Sequence, residues 1–132
     1  MSKNVDQLFS YLSDEGFRPK LDDEGDIVFK YEGDTYIVIF NENDPDFASL
    51  NKYLSLDFAD NKSLEVYKLL NKVNYDYIVG KCTLRDGQDK VLKIQVDALG
   101  SIEEFQQNFD RYLRIIQQME RDFIEDFNEF VA

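Results

Sequence analysis

Apolar residues recur at helical spacing at the start of the chain. Over residues 4–15, Val5, Leu8, Phe9 and Leu12 fall on one face. The remaining positions are mostly polar, as expected of a helix that covers one side of a core. The chain is therefore predicted to open with an amphipathic helix.

A second amphipathic helix is predicted over residues 61–73. Asp60 or Asn61 can cap its first turn, and Asn74 can adopt the left-handed conformation that ends a helix. Four apolar residues at helical spacing form its buried stripe: Val66, Leu69, Leu70 and Val73.

The last helix is predicted to begin at Ser101, which forms a capping box with Glu104. Its apolar stripe consists of Ile102, Phe105, Phe109, Tyr112 or Leu113, Ile116, Met119, Phe123, Phe127 and Phe130. A helix from Ser101 to about Val131 would be ~45 Å long. A globule of this size is only about 35 Å across. Either the helix breaks, or its end extends past the sheet.

Strand signals fill the space between the first two helices. Residues 18–22, 27–32 and 35–40 are rich in β-branched and aromatic types and are separated by strong turn sequences. Residues 36–40 are apolar at every position, which indicates a central strand covered on both faces. A further strand within residues 47–58 is plausible from the alternation of its last apolar positions, although residues 49–52 fit it poorly.

A second hairpin is predicted between the last two helices. Residues 75–84 and 91–98 alternate apolar and polar types, and residues 85–89 form the connecting turn. One face of this hairpin is predicted to pack inward, with Ile78 and Cys82 on it. The predicted order is α-β-β-β-(β)-α-β-β-α, a single α+β domain over residues 1–132 with an antiparallel sheet flanked by helices.

Composition narrows the chemistry. The 132 residues include no His and one Cys, so the commonest general base is missing and no intrachain disulfide can form. The acidic runs at residues 22–26 and 41–46 lack the spacing of a calcium loop. Cys82 is expected to be a buried thiol without an activating partner. We therefore predict no catalytic residue, no metal site and no cofactor.

The start of the chain shows no secretory signal, because no basic segment followed by an apolar run is present. The longest apolar run, residues 36–40, is far shorter than the ~20 residues that cross a bilayer. A cytoplasmic location with no membrane partner is expected.

Charge is distributed unevenly. The chain carries 27 acids and 15 bases, a formal net charge of −12, which argues against a nucleic-acid partner. The net charge is −9 over residues 1–60, +2 over residues 61–100 and −5 over residues 101–132. The middle segment therefore holds the lysines that could steer an acidic partner or another copy of the chain, or that simply keep exposed faces soluble. These lysines are Lys62, Lys68, Lys72, Lys81, Lys90 and Lys93.

The end of the last helix is a second candidate interface. If the helix extends past the sheet, Phe123, Phe127, Phe130 and Val131 lose contacts within their own domain, and such apolar patches usually mark an interface. If the end folds back over the sheet's edge or frays, no patch results. The sequence leaves both alternatives open.

The element order and several motifs resemble the YbjN-like family, which shares its fold with type III secretion chaperones of the Tir chaperone kind. The motifs that carry the resemblance are the helix end at Gly16-Phe17, residues 26–29 and 36–40, Asp44-Pro45-Asp46-Phe47, residues 66–74, the strand around Lys81, the turn at Gly87, and the helix from Phe105 to Met119. The resemblance implies a bacterial cytoplasmic domain, commonly dimeric, that holds partners and has no catalytic residue to transfer.

These observations favour a non-enzymatic, chaperone-like protein-interaction domain that binds a protein partner or itself, as a homodimer, through apolar surface and a sheet edge. One alternative is a small-molecule or lipid-binding domain with an aromatic-lined cavity between sheet and helices. Another is an acidic inhibitor or immunity-type protein, suggested by the net charge alone.

Overall fold

The computed structural model describes residues 2–85 and 90–132. The helices are α1 (Lys3–Asp14), α2 (Ser63–Asp76), α3 (Ile102–Gln107) and α4 (Phe109–Phe130), and a short 3-10 segment, Asp60–Lys62, precedes α2. The strands are β1 (Lys20–Leu21), β2 (Ile27–Tyr31), β3 (Asp34–Asn41), β4 (Asp44–Ser55), β5 (Gly80–Leu84) and β6 (Val91–Leu99). These elements confirm the predicted α+β class and element order.

The strands form one antiparallel sheet in the order β1-β2-β3-β4-β6-β5. Because successive side chains of a strand point to opposite faces, one face carries Val38, Leu50 and Val96 side by side, all fully buried. The helices pack on this face, called here the covered face. The other face, here the open face, has no helix over it among the described residues.

The strand β3 is central, as predicted, but it is not covered on both sides. Tyr36 and Val38 are buried on the covered face, whereas Ile37 and Ile39 on the open face are only half-buried. They stand opposite Asn51 and Ser49 of β4, which are buried on this face together with Gln95 of β6.

The strand that the sequence left uncertain, β4, has 12 residues and pairs with both β3 and β6. Its register places Ala48, Leu50 and Lys52 on the covered face, so a lysine occupies a position where the alternation requires an apolar residue. Lys52 is therefore the reason that residues 49–52 fit a strand poorly by pattern alone.

Helix α2 continues past the predicted stop at Asn74 and ends at Asp76. The Asn74 side chain donates to the carbonyl of Cys82 (2.9 Å) and accepts from the backbone N–H of Cys82 (2.7 Å). Asn74 therefore satisfies the backbone of edge strand β5 instead of ending the helix. The strand starts only at Gly80, so the predicted inward position of Ile78 is wrong: Ile78 is 100% exposed.

The predicted terminal helix is broken at Asn108, which separates α3 from α4. The capping box of Ser101 and Glu104 is present at the start of α3. At 22 residues, α4 is about 33 Å long, which fits the width of the domain. The break thus resolves the length conflict, and α4 lies along the sheet and against α2.

Of the two alternatives for the end of this helix, an end that extends past the sheet and exposes its apolar residues does not hold for most of them. Phe123, Phe127 and Val131 are buried at 0%, 5% and 8% exposure. Phe58 packs edge-on against Phe127 at 6.2 Å between ring centroids, and α2 packs against α4. Of the predicted patch, only Phe130 faces solvent, with 58% of its surface exposed.

The turn predicted at residues 85–89 lies mostly outside the described residues, which resume at Lys90. On either side of it, Leu84 pairs with Leu92 and Lys81 with Gln95, so the predicted hairpin of β5 and β6 is formed. The first predicted strand, 18–22, is reduced to the two residues of β1.

Candidate interaction surfaces

Helix α2 carries two apolar faces. Val66, Leu69, Leu70 and Val73 are buried against the sheet and α4, as predicted. On the opposite side, residues three and eleven positions apart share a face. This side carries three exposed large apolar side chains: Leu64 is 60% exposed, Tyr67 54% and Tyr75 88%.

The segment between α2 and β5 extends this exposed side. Ile78 is fully exposed and Val79 is 54% exposed. Tyr77 lies between α2 and these two residues. Its hydroxyl donates a hydrogen bond of 2.5 Å to the carboxylate of Asp122 on α4. Burial, together with this bond, raises the pKa of Tyr77 to about 12. We call Leu64, Tyr67, Tyr75, Ile78 and Val79 the α2 surface.

Sequence reasoning missed this surface for two reasons. The spacing of Leu64, Tyr67 and Tyr75 indicates a shared side of the helix. However, a helix that already has one apolar stripe to bury is not expected to carry a second one. Ile78 and Val79 were placed in a strand because β-branched residues favour strands. Only the position of Gly80, where β5 begins, shows that they lie outside the sheet.

Three of the six predicted lysines bind acids of their own chain. Lys72 contacts Asp126 of α4 at 2.7 Å, Lys90 contacts Asp60 at 2.9 Å, and Lys81 is 3.7 Å from Asp97. The hydrogen bond with Asp126 is the main reason that the pKa of Lys72 is raised. These pairs reduce the positive charge that the middle segment can offer a partner.

Lys62, Lys68 and Lys93 have no ion-pair partner among the described residues. Lys68 is exposed on α2 one residue after Tyr67, and Lys62 is half-buried just before the helix. Lys93 lies on the open face with its ammonium 5.9 Å from the ring centre of Tyr53. On α4, Phe130 lies one helical turn after Asp126, the residue that Lys72 contacts.

A buried ionic cluster on the covered face was not predicted at all. Lys52 is 2% exposed, and its ammonium donates to Asp34 at 2.7 Å. The carboxylate of Glu120 on α4 lies 2.5 Å from the same ammonium and forms an ion pair with it, in a geometry that is not that of a hydrogen bond. Burial would lower the pKa of Lys52, but pairing with Asp34 and Glu120 outweighs it and raises that pKa. The ammonium is thus held charged by its own chain.

The thiol and the acidic turns have structural explanations. Cys82 is 1% exposed, and burial raises its pKa to about 11, which disfavours the reactive thiolate. Asp22 accepts from the backbone N–H groups of Glu24 and Asp26, so its carboxylate shapes a turn. Within the described residues, no group of three His, Cys, Asp or Glu side chains is arranged to hold a metal ion.

Among the described residues, the larger clefts open at the surface. The small gap beneath α3 measures about 10 Å³, whereas three surface clefts measure about 530, 690 and 710 Å³. The cleft of about 530 Å³ lies between α4 and strands β3 and β4, but most of its lining residues are charged, unlike the aromatic-lined cavity that the small-molecule alternative requires. None of the helices in the described parts of the chain is long and apolar enough to cross a membrane.

Solved structures share this fold. YbjN from E. coli, described as a "putative transcription regulator", is 12% identical and aligns over 97% of this chain and 95% of its own, with a TM-score of 0.73. An uncharacterized protein from Methanothermobacter thermautotrophicus is 13% identical over 94% of this chain and 99% of its own, with a TM-score of 0.62. At these identities the likeness concerns the fold alone.

No curated protein matches the chain in sequence. A family model does, over residues 4–129, which is nearly the whole chain. That family is described as "Putative bacterial sensory transduction regulator". The match takes in all six described strands and all but the first residue of α1 and the last residue of α4, and the chain belongs to the YbjN family.

Proposed function

We propose that this protein is a non-enzymatic, chaperone-like interaction domain of the bacterial cytoplasm that binds a protein through the α2 surface, another copy of itself first. The observation that carries the proposal is the exposure of Leu64, Tyr67, Tyr75, Ile78 and Val79 on α2 and on the segment that follows it. Large exposed apolar side chains gathered in one part of a protein are typical of an interface. Tyrosine is also among the residues that contribute most to binding energy.

Local charge supports a homodimer. The chain as a whole has a net charge of −12, so most approaches of two copies are repulsive. Residues 60–79 contain three acids and three bases, a net charge of zero. The α2 surface is therefore a place where two copies can meet without the repulsion that acts elsewhere.

A sheet edge is less suited to the same task. On β5, the outward backbone groups of Cys82 are already bonded to Asn74. The opposite edge, β1, has only two residues. Both features restrict the addition of a strand, so the proposal relies on the helix surface and not on the edge that the sequence suggested.

The family supports a binding role. The family is described as one of regulators, and regulators act by engaging partners. The acidic-inhibitor alternative has weaker support, because five of the eight large apolar residues exposed in the described part of the chain lie within residues 60–79, where the net charge is zero.

Sedimentation velocity over a range of concentrations tests the homodimer. The variant Tyr67→Asp/Ile78→Asp adds charge to the α2 surface, and the matched control Leu99→Asp changes an apolar residue that is 83% exposed on the open face. We expect the wild type and the control to dimerise and the double variant to bind itself at least about tenfold more weakly.

A cross-linking capture from a bacterial lysate tests the wider role with the same three proteins. If all three are monomeric at every concentration and capture the same proteins, the α2 surface is not an interface and the proposal is wrong. Thermal unfolding of each variant verifies that the fold is retained.

A further inference from the structure

A groove at one end of the sheet has the chemistry of a second binding site. It measures about 710 Å³ and lies between the first turn of α1, the turn before β2 and the turn that joins β3 to β4. None of its lining residues belongs to the α2 surface. The groove is therefore independent of the proposed function.

The floor of the groove is apolar. Val5 is buried at its back, and Ile39, Phe40 and Phe47 are half-buried along it. A cleft of several hundred Å³ with such a floor is in the size range of sites that hold a ligand or a few side chains.

The rim of the groove is strongly acidic. Glu24, Asp26, Glu42 and Asp44 surround it, against the single base Lys3. Asp26 accepts from the backbone N–H of Phe40, and Asp44 from that of Asp46, so two of the carboxylates are fixed in place. A cation is attracted to this rim, whereas an anion is repelled.

The walls of the groove are tied together before any ligand arrives. Asn4 of α1 donates to the Pro45 carbonyl at the start of β4, with 2.6 Å between the atoms. Asp22 holds the opposite turn through two backbone bonds of 2.9 Å. Such preorganisation lowers the entropy cost of binding.

An apolar floor beneath an acidic rim selects one kind of occupant. Lys and Arg side chains combine an apolar stem with a cationic head, and Arg forms paired hydrogen bonds with carboxylates. An adjacent aromatic or aliphatic side chain would fill the floor. We propose that the groove binds a short segment of a partner protein in which Arg or Lys stands next to an apolar residue.

The experiment is a titration of the isotope-labelled protein, followed by amide chemical shifts, with the peptide acetyl-Arg-Phe-Arg-amide. We expect saturable shifts that cluster at Val5, Phe40 and Phe47. The peptides acetyl-Gln-Phe-Gln-amide and acetyl-Glu-Phe-Glu-amide should bind more weakly in that order, because they lack the positive charge and then reverse it.

The variant Glu24→Gln/Glu42→Gln removes two rim charges whose side chains take part in no hydrogen bond or ion pair among the described residues. It should weaken binding of the Arg peptide about fivefold. The matched control Glu125→Gln/Glu129→Gln makes the same change on α4 and should leave it unaltered. Tyr67→Asp/Ile78→Asp should also bind normally, which separates this site from the α2 surface.

Absence of saturable shifts up to about 5 mM peptide would overturn the proposal, since a specific site of this size should reach the millimolar range. The proposal would also be overturned if the Glu peptide bound as tightly as the Arg peptide. The same holds if Glu125→Gln/Glu129→Gln weakened binding as much as Glu24→Gln/Glu42→Gln. Shifts confined to the α2 surface would count against the groove in the same way.

Discussion

The two faces of the sheet carry similar residues in different environments. On the covered face, Tyr36 and Lys52 lie under the helices and are almost completely buried. On the open face, Tyr53 and Lys93 are half-exposed, and the Lys93 ammonium simply lies over the Tyr53 ring. A side chain's contribution to stability therefore depends on the face it occupies more than on its type, and matched substitutions on each side can measure this.

The largest difference is expected for phenylalanines of α4. Phe123 is fully buried against the covered face, and Phe130 is 58% exposed. Phe123→Ala should lower the free energy of unfolding by about 3–5 kcal/mol, because it leaves a cavity in a packed core. Phe130→Ala should change it by less than about 1 kcal/mol. Urea unfolding followed by circular dichroism measures both, and equal losses would contradict the burial described here.

The next largest difference is expected between Lys52 and Lys93. Lys52→Ala leaves Asp34 and Glu120 without their counter-ion and should cost about 3 kcal/mol of unfolding free energy. The value is at the lower end for a broken buried pair because the Asp34 side chain is 53% exposed and can be rehydrated. Lys93→Ala should cost less than about 1 kcal/mol. The same urea unfolding applies, and a larger loss for Lys93→Ala would reverse the assignment of faces.

A smaller contrast is expected within strand β5. A Cβ at Gly80 would collide with the Met119 sulfur and stand 3.2 Å from Cγ2 of Ile115, so Gly80→Ala should cost about 1–2 kcal/mol of unfolding free energy. Thr83→Ala, on the exposed side of the same strand, should cost less than about 1 kcal/mol. Differential scanning calorimetry should show a clearly lower Tm only for Gly80→Ala.

The smallest effect concerns alkaline pH. Burial raises the pKa of Tyr36 from 10 to about 12, so the folded state keeps this proton while the unfolded state loses it. Stability is therefore lost as pH rises above 10, by about 1 kcal/mol at pH 11 from this residue. Tyr36→Phe should show a shallower decline between pH 10 and 12 than the wild type. Tyr53→Phe is the control, and parallel declines in all three proteins would rule out the effect.

The sequence was sufficient to predict the elements whose burial follows a simple period. Helix α1 and the buried stripe of α2 lie where their spacing placed them. The capping box at Ser101 was also readable, since its two partners are three residues apart. These features are local, and so their physical causes are present in short segments of sequence.

The uncertain and wrong predictions share a different cause. Lys52 can occupy an inward position only because Asp34 and Glu120, which are 18 and 68 residues away, come to meet it. Asn74 stays in a helix because its side chain has the edge of β5 to bind. No local pattern contains these partners.

The candidate interfaces show the same division. Composition identified the middle of the chain as its only segment that is not acidic, and the structure places the α2 surface there. Composition could not show that Phe123, Phe127 and Val131 are buried, nor that Tyr75 and Ile78 are exposed. That outcome depends on the break at Asn108 and on the packing of α2 against α4, because exposure is set by neighbours that are distant in sequence.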